Sequence, residues 1–206
     1  MTRYAMAIDL KQCVSCHACS VACKMNNNLP KDVWYNRVET DGGDYMDTAR
    51  GTYPHDLHRM HYPISCQHCS KPACVASCPT GATFVQDDGI VATNAEDCIG
   101  CGSCVTACPY SARTMIENDP EYAVDFPLGD WDAPQHVKGV AEKCTFCANR
   151  LARDEVPACM ELCPGRARHW GDMDDPESDI RTFLEGKDYE HLLEDAGTEP
   201  NVYYVK

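Results

Sequence analysis

What most constrains this 206-residue chain is its sixteen cysteines, which fall into four groups of four with none left over. Cys13, Cys16, Cys19 and Cys23 are spaced C-x2-C-x2-C-x3-C, and Cys98, Cys101, Cys104 and Cys108 repeat that spacing and add Pro109. Cys66, Cys69, Cys74 and Cys78, followed by Pro79, widen the middle gap to four residues. Cys144, Cys147, Cys159 and Cys163, followed by Pro164, widen it to eleven.

The regular spacing is the bacterial ferredoxin run for a cubane 4Fe-4S cluster. Two-residue steps wrap the backbone around a cube, so that three thiolates reach three irons while loop amides point at the sulfides. The fourth cysteine is expected at the start of a helix leading away, where it ligates the neighbouring cluster. Proline after it fixes the backbone direction and keeps the segment clear of the cube. Clusters therefore come in pairs, and sixteen ligands make four. Other owners of the thiols fit less well. Cys13-Val14-Ser15-Cys16-His17 spells the c-type haem signature. The third group, however, has Gly102 where the first has His17, and haem would strand Cys19 and Cys23. His17 is expected to be an exposed loop residue, or at most a donor near a cluster sulfur. Zinc suits separated C-x2-C pairs, but three ligands in one short loop crowd a tetrahedral ion. Disulfides between cysteines two residues apart would close small strained rings.

Composition narrows the class further. The net charge of -14 argues against nucleic-acid surfaces and anionic lipid. No apolar run approaches the roughly 18 residues that span a bilayer, so membrane contact is expected only through a partner. The opening "MTRYAMAIDLKQC" has no apolar h-region, cleavage site or twin arginine, hence no export signal of its own is expected.

A strand, loop, helix, strand unit recurs. "YAMAID" (4 to 9) alternates like a strand entering the first loop, and "HACSVACK" reads as a short helix. "TFVQDDGIVAT" carries a hairpin signal around Asp87-Asp88-Gly89. "SARTMIEN" and "RARHWGD" read as strands beginning 3 residues after Cys108 and Cys163. Duplication of a ferredoxin-like module is the simplest account. Only 19 residues separate Cys78 from Cys98, against 42 between Cys23 and Cys66 and 35 between Cys108 and Cys144. The second and third groups then form one two-cluster half, and the first and fourth the other. On that pairing the ligand sets are Cys13, Cys16, Cys19 with Cys163; Cys144, Cys147, Cys159 with Cys23; Cys66, Cys69, Cys74 with Cys108; and Cys98, Cys101, Cys104 with Cys78. Spacing alone leaves open the alternative of first with second and third with fourth.

Over nearly its whole length the chain resembles the four-cluster iron-sulfur subunits of molybdopterin oxidoreductases, the dimethyl sulfoxide, polysulfide, thiosulfate and arsenate reductases among them. The tail "ELCPGRARHWGDMDDPESDI" is similar to the sulfur and arsenate branch. Lys24 stands where a proline could follow the first group, as is common in such subunits. The resemblance implies pairing of the first group with the fourth. It implies an α+β fold of two tandem two-cluster ferredoxin-like halves, with long loop insertions and a C-terminal helical extension. Within one four-cluster unit (1–206), ferredoxin-type modules are expected over 4–33, 57–88 and 89–118, and a fourth-group segment over 136–172. It also implies a non-catalytic electron-transfer role beside a large molybdopterin-bearing subunit and a donor or membrane quinol subunit, with molybdopterin only in the partner. Some relatives carry tryptophan at the second cysteine of the third group and hold a three-iron cluster there, whereas this chain keeps Cys101. Location would follow the partners: membrane-associated through them, extracytoplasmic if co-exported, otherwise cytoplasmic. A freely diffusing polyferredoxin is the alternative, and the long insertions favour the subunit.

Four oxidised clusters with their thiolates add 8 negative charges, which Lys11, Lys24, Arg113, Lys143 and Arg166 are placed to offset, unless they are ordinary surface charge. No nucleophile, general base or open metal site stands out. Residues 24–65, with His55, His58 and His61, could make a metal site but read better as a docking loop. Residues 117–143 read as an irregular insertion and a second candidate partner surface. "DIRTFLEGKDYEHLLED" reads as a helix pair or bent helix packing on the first and fourth groups.

Overall fold

The computed structural model describes residues 2–43 and 49–206. Strands β1 (Tyr4–Asp9) and β2 (Asn36–Thr40) flank the first cysteine group and its helix α1 (Ala18–Asn26). Strand β3 (His61–Ser65), helix α2 (Ala73–Ala76) and strand β4 (Thr83–Val85) frame the second group. Strand β5 (Val91–Thr93), helix α3 (Ser103–Thr106) and strand β6 (Arg113–Met115) frame the third. Strand β7 (Ala141–Lys143), helices α4 (Ala148–Leu151) and α5 (Ala158–Glu161), and strand β8 (Arg168–Asp172) frame the fourth. Helix α6 (Asp179–Leu184) and strands β9 (Tyr189–Glu190) and β10 (Val202–Val205) complete the chain.

The strand after each group pairs antiparallel with the strand before the next: β2 with β3, β4 with β5, and β6 with β7. The strand after the fourth group returns to the first, β8 pairing antiparallel with β1. Four units are thereby closed into a ring that begins and ends at β1. The mixed helix-and-sheet content and the recurring unit are as the sequence suggests.

The ring is locked by β10, which lies parallel to β1 with Met6 opposite Val202 and Ile8 opposite Tyr204. The resulting sheet runs β8-β1-β10-β9. Both faces of β1 are covered, which explains why Ala5, Met6, Ala7 and Ile8 are all at most 1% exposed. Met6, Ile8, Val202 and Tyr204 join the main core, which contains Cys19, Cys23, Cys66, Cys69, Cys144 and Cys159. Ala5, Ala7, Tyr203 and Val205 meet Ile180 and Leu184 on the other face.

Two expectations fail here. Of the C-terminal helix pair only α6 forms; Gly186 turns the chain with φ 68°, and Tyr189 and Glu190 pair with Val205 and Tyr204 as a strand. A single turn of 3-10 helix, Glu194–Ala196, follows. Helix α6 packs on β8 and β1, the strands that frame the fourth and first groups. The fourth cysteines also do not begin helices. In all four units the third cysteine is the second residue of a helix: Cys19 in α1, Cys74 in α2, Cys104 in α3, Cys159 in α5. The fourth lies four residues on, and at about 1.5 Å per residue this turn carries its thiol about 6 Å away from its own loop.

The insertion over 117–140 has no strand or helix. It is nevertheless anchored. Asp130 accepts from Arg153 Nη2 at 2.9 Å, Asp132 pairs with Arg153 Nη1, and Asn149 donates to Asp132 at 2.9 Å. A side chain on Gly129, whose φ is 85°, would run into the carbonyl oxygens of Met25 and Asn26, so the loop tip lies directly on the end of α1.

Candidate iron-sulfur centres

The loops that carry the first two thiols of each group share one backbone device. The residue before the second cysteine has a positive φ in every group: Ser15 (55°), His68 (42°), Gly100 (68°) and Phe146 (59°). Such residues reverse the chain tightly enough for two thiols three positions apart to face one point. In the regular groups the residue after the second cysteine does the same and caps the helix: His17 at φ 59° and Gly102 at φ 71°. These two are therefore equivalent in backbone conformation, although one is histidine and the other glycine. His17 is half-buried rather than exposed, and lines the cavity beside its loop. The stretched groups instead enter their helices through extended prolines, Pro72 and Pro157, as "PAC" in both.

All sixteen cysteines are free thiols, and they gather in four sets. Cys13, Cys16, Cys19 and Cys163 line one cavity. Cys78, Cys98, Cys101 and Cys104 line another. Cys23 is pushed well up from the usual thiol range by burial and then by Cys144, Cys159 and Cys147 around it. Cys69 is raised to about 12 by burial, with Cys66, Cys74 and Cys108 adding to the rise. Each set thus takes three thiols from one group and the fourth from another, first exchanging with fourth and second with third.

The sets stand in file. Cys19 of the Cys13 set lies beside Cys159, Cys144 of that second set beside Cys66, and Cys74 of the third beside Cys104 of the last. Cys23, Cys144, Cys147 and Cys159 of one inner set are all buried, Cys74 and Cys108 of the other are half-buried, and the two ends each expose one thiol, Cys16 and Cys101.

The polar surroundings fit an anionic, sulfur-rich group. Thr83 N–H points at Cys78 Sγ (3.5 Å) and Phe146 N–H at Cys144 Sγ (3.4 Å), and Asn27 Nδ2 lies 3.6 Å from Cys23 Sγ. Arg168, buried, donates from Nη1 to Cys159 Sγ (3.7 Å) and from Nη2 to Asn36 Oδ1 (3.0 Å). Although burial opposes its charge, the neighbouring Cys159 and Cys19 hold its pKa above the usual arginine value. Arg113 Nε and Nη1 and His68 Nε2 are buried donors with no protein partner, the signature of an acceptor the polypeptide does not supply. A single zinc ion needs sulfurs about 2.3 Å from one point. Among the described residues no three His, Cys, Asp or Glu side chains gather closely enough to hold one ion. His55, His58 and His61 do not converge either.

Of the five cations suggested by the sequence, Arg113 and Lys143 are buried, and Lys11 and Arg166 are exposed. Lys24 instead ties down the following loop, donating to the carbonyls of Pro30, Lys31 and Val33 and lying 4.4 Å from the Trp34 ring centroid. Arg168 escaped notice, although "CPYSAR" and "CPGRAR" place Arg113 and Arg168 at the same offset, five residues after a fourth cysteine. A buried chain near Cys23 was also missed: Tyr35 Oη donates to Glu142 (2.8 Å), which bonds His136 Nδ1 (2.8 Å), while His136 Nε2 meets the Asn27 carbonyl (2.9 Å).

Comparison with known proteins decides the family. Residues 57–123 and 97–167 each match a 4Fe-4S dicluster domain, and the two matches share the third group. A putative dimethyl sulfoxide reductase iron-sulfur subunit of Halobacterium salinarum is 41% identical, over 100% of this chain and 79% of its own length. The chain belongs to the iron-sulfur electron-transfer subunits of the molybdopterin oxidoreductases. A polysulfide reductase subunit of Wolinella succinogenes is 37% identical over 98% of this chain and 94% of its own. The arsenate respiratory reductase iron-sulfur subunit of Shewanella sp. is 33% identical over 99% and 96%. Relatives named for such different oxidants match along the same span, so the sequence tracks the type of subunit rather than a substrate. Such subunits transfer electrons and leave catalysis to another chain. Among the described residues no helix is long and apolar enough to cross a membrane.

Proposed function

We propose that the four thiol sets hold four 4Fe-4S clusters and that the chain is a wire between two partners. Each cluster would take or give one electron with little rearrangement. The modules over 4–33, 57–88, 89–118 and 136–172 each contribute one loop, with the sixteen cysteines of the four sets as ligands. The observation that carries this reading is the file of thiol sets, most deeply buried at Cys23, Cys144, Cys147 and Cys159 and open at Cys16 and Cys101. Electrons need a partner at each open end. By family resemblance the Cys16 end faces a large molybdopterin-bearing catalytic subunit and the Cys101 end a donor or membrane quinol subunit.

This chain's own residues do three things in that role. The cysteine loops fix four sites in a row, Arg168, Arg113 and the loop N–H groups face the added negative charge, and the core around Cys23, Cys144 and Cys159 excludes water. Exposed Trp34, Tyr53, Phe126 and Trp131 lie in the segments 24–65 and 117–143, which would meet the partners. Purified untagged and without oxygen, the native protein is expected to elute with a large molybdopterin-containing subunit. Elution as a lone chain would favour a freely diffusing polyferredoxin.

A further inference from the structure

At the seam between the two inner thiol sets one buried donor lacks a protein partner, and two more lie nearby on Arg113, toward the Cys101 end. His68 lies between Cys66 and Cys69, is 1% exposed, and meets the Phe146 ring edge-on with centroids 5.4 Å apart. Phe146 itself lies between Cys144 and Cys147. Val91 N–H donates to His68 Nδ1 at 3.2 Å. A ring nitrogen that accepts carries no hydrogen, so this bond assigns the proton of the imidazole to Nε2. That Nε2–H is buried and unpartnered, as are Nε and Nη1 of Arg113.

The neighbouring donors are already committed. Arg113 Nη2 donates to Thr83 Oγ1 (3.0 Å) and Thr93 Oγ1 (2.6 Å), and Lys143 Nζ donates to the carbonyls of Val91 and Cys144. Arg113 and Lys143 both stand near His68, and Arg113 also stands near Cys104, toward the Cys101 end. Native interiors leave few donors unpaired, so three together point to acceptors outside the polypeptide. The loop that carries His68 is the one that wraps the Cys66 site, and the contact on the other side, Phe146, has no polar atom on its ring.

We propose that His68 donates its Nε2–H to a sulfur of the cluster held by Cys66, Cys69, Cys74 and Cys108, making that cluster more easily reduced than it would be without the donor. This rests on the four-cluster reading above. Reduction adds negative charge to the sulfurs, and a donor aimed at one of them stabilises the reduced form. The free donors of Arg113 and the charge of Lys143 act in the same direction. With the charge of Arg168 on the other inner cluster acting the same way, the wire then has its well in the middle, where one electron can wait while a two-electron partner reaction collects its second. His68 is a tuning residue and not a ligand.

The test is an anaerobic potentiometric titration, followed by electron paramagnetic resonance, of the loaded protein and of His68→Phe and His68→Gln. In His68→Phe one inner cluster is expected to show about a tenfold lower reduced-to-oxidised ratio at fixed potential, about 59 mV for a one-electron couple. The two outer clusters are expected not to move, and His68→Gln, which keeps an N–H donor, is expected to recover part of the shift. A loaded His68→Phe with no shift, or with the same shift in all four clusters, would overturn the proposal. Should His68→Phe fail to load, the wild type labelled with 15N-histidine decides. Coupling of a reduced inner cluster to a histidine nitrogen that persists in His17→Ala supports the proposal, and its absence overturns it. A wild type that lacks iron would be found before any titration, and would refute the four-cluster reading itself.

Discussion

Removing the charge of Arg168 is expected to lower the potentials of the two clusters at the Cys16 end and to leave the other two unchanged. Arg168 is 7% exposed and its guanidinium reaches Cys159 Sγ at 3.7 Å, with Cys19 and Cys163 of the outer set also close. A cluster becomes one charge more negative on reduction, so a fixed cation favours the reduced form. At an effective dielectric constant of about 20, a unit charge at the 3.7 Å contact is worth about 4.5 kcal/mol, and about half that at twice the distance. Those values bracket an electron spread over a cluster. With about 1.4 kcal/mol per 59 mV, Arg168→Met should lower the cluster of Cys23, Cys144, Cys147 and Cys159 by about 100 to 200 mV. The cluster of the Cys13 set should fall by less, because no hydrogen bond joins it to the guanidinium. Arg168→Lys keeps the charge and should restore more than half of the shift. The assay is potentiometric titration of each resonance in the loaded protein. No shift in Arg168→Met, or an equal shift in all four clusters, would refute the placement of this charge between two particular sites.

Three further outcomes are expected. Cys163→Ser should lose the cluster of Cys13, Cys16 and Cys19, giving about 12 iron per chain, and should loosen β1, because that site ties the two ends of the chain together; loss of the Cys98 set instead would show the pairing to be wrong. Cys101→Ser should convert the terminal cluster to a three-iron form of higher potential. Activity with the physiological donor should then fall at least about tenfold while a small artificial reductant still works; equal loss with both would mean that Cys101 serves assembly. For His136, burial pushes the pKa down, but the hydrogen bonds to Glu142 and the Asn27 carbonyl outweigh it and leave the value raised from 6.5. A raised folded value means that this stabilisation is complete below about pH 6.5 and is lost as the pH rises through the folded value. The Tm advantage of the wild type over His136→Gln should therefore shrink as the pH rises above about 6.5, and an advantage that grows as the pH rises would contradict the sign.

The cysteine loops were legible because their geometry is local: three thiols on one turn of backbone need fixed neighbours, and the spacing records them. The strand, loop, helix, strand unit was legible for the same reason. Strands β2, β3, β7 and β10 were not. They are three to five residues long, and β10 finds its partner β1 from the opposite end of the chain, so no local pattern marks it. The lost second helix shows tertiary pairing overriding propensity: "KDYEHLLED" has helix-forming residues, yet Tyr189 and Glu190 satisfy the edge of β10 and Leu193 takes a left-handed conformation. Arg168 could have been found from its shared offset with Arg113. His68 could not, because a histidine between two ligands gives no sign in the sequence of which ring nitrogen is left unpartnered.

The central claim is tested most directly by metal and sulfide analysis of the anaerobically purified protein. Sixteen thiols in four sets predict about 16 iron and about 16 acid-labile sulfide per chain, with no zinc. A fully folded preparation that holds zinc in place of iron, or that saturates at about 8 iron, would contradict it.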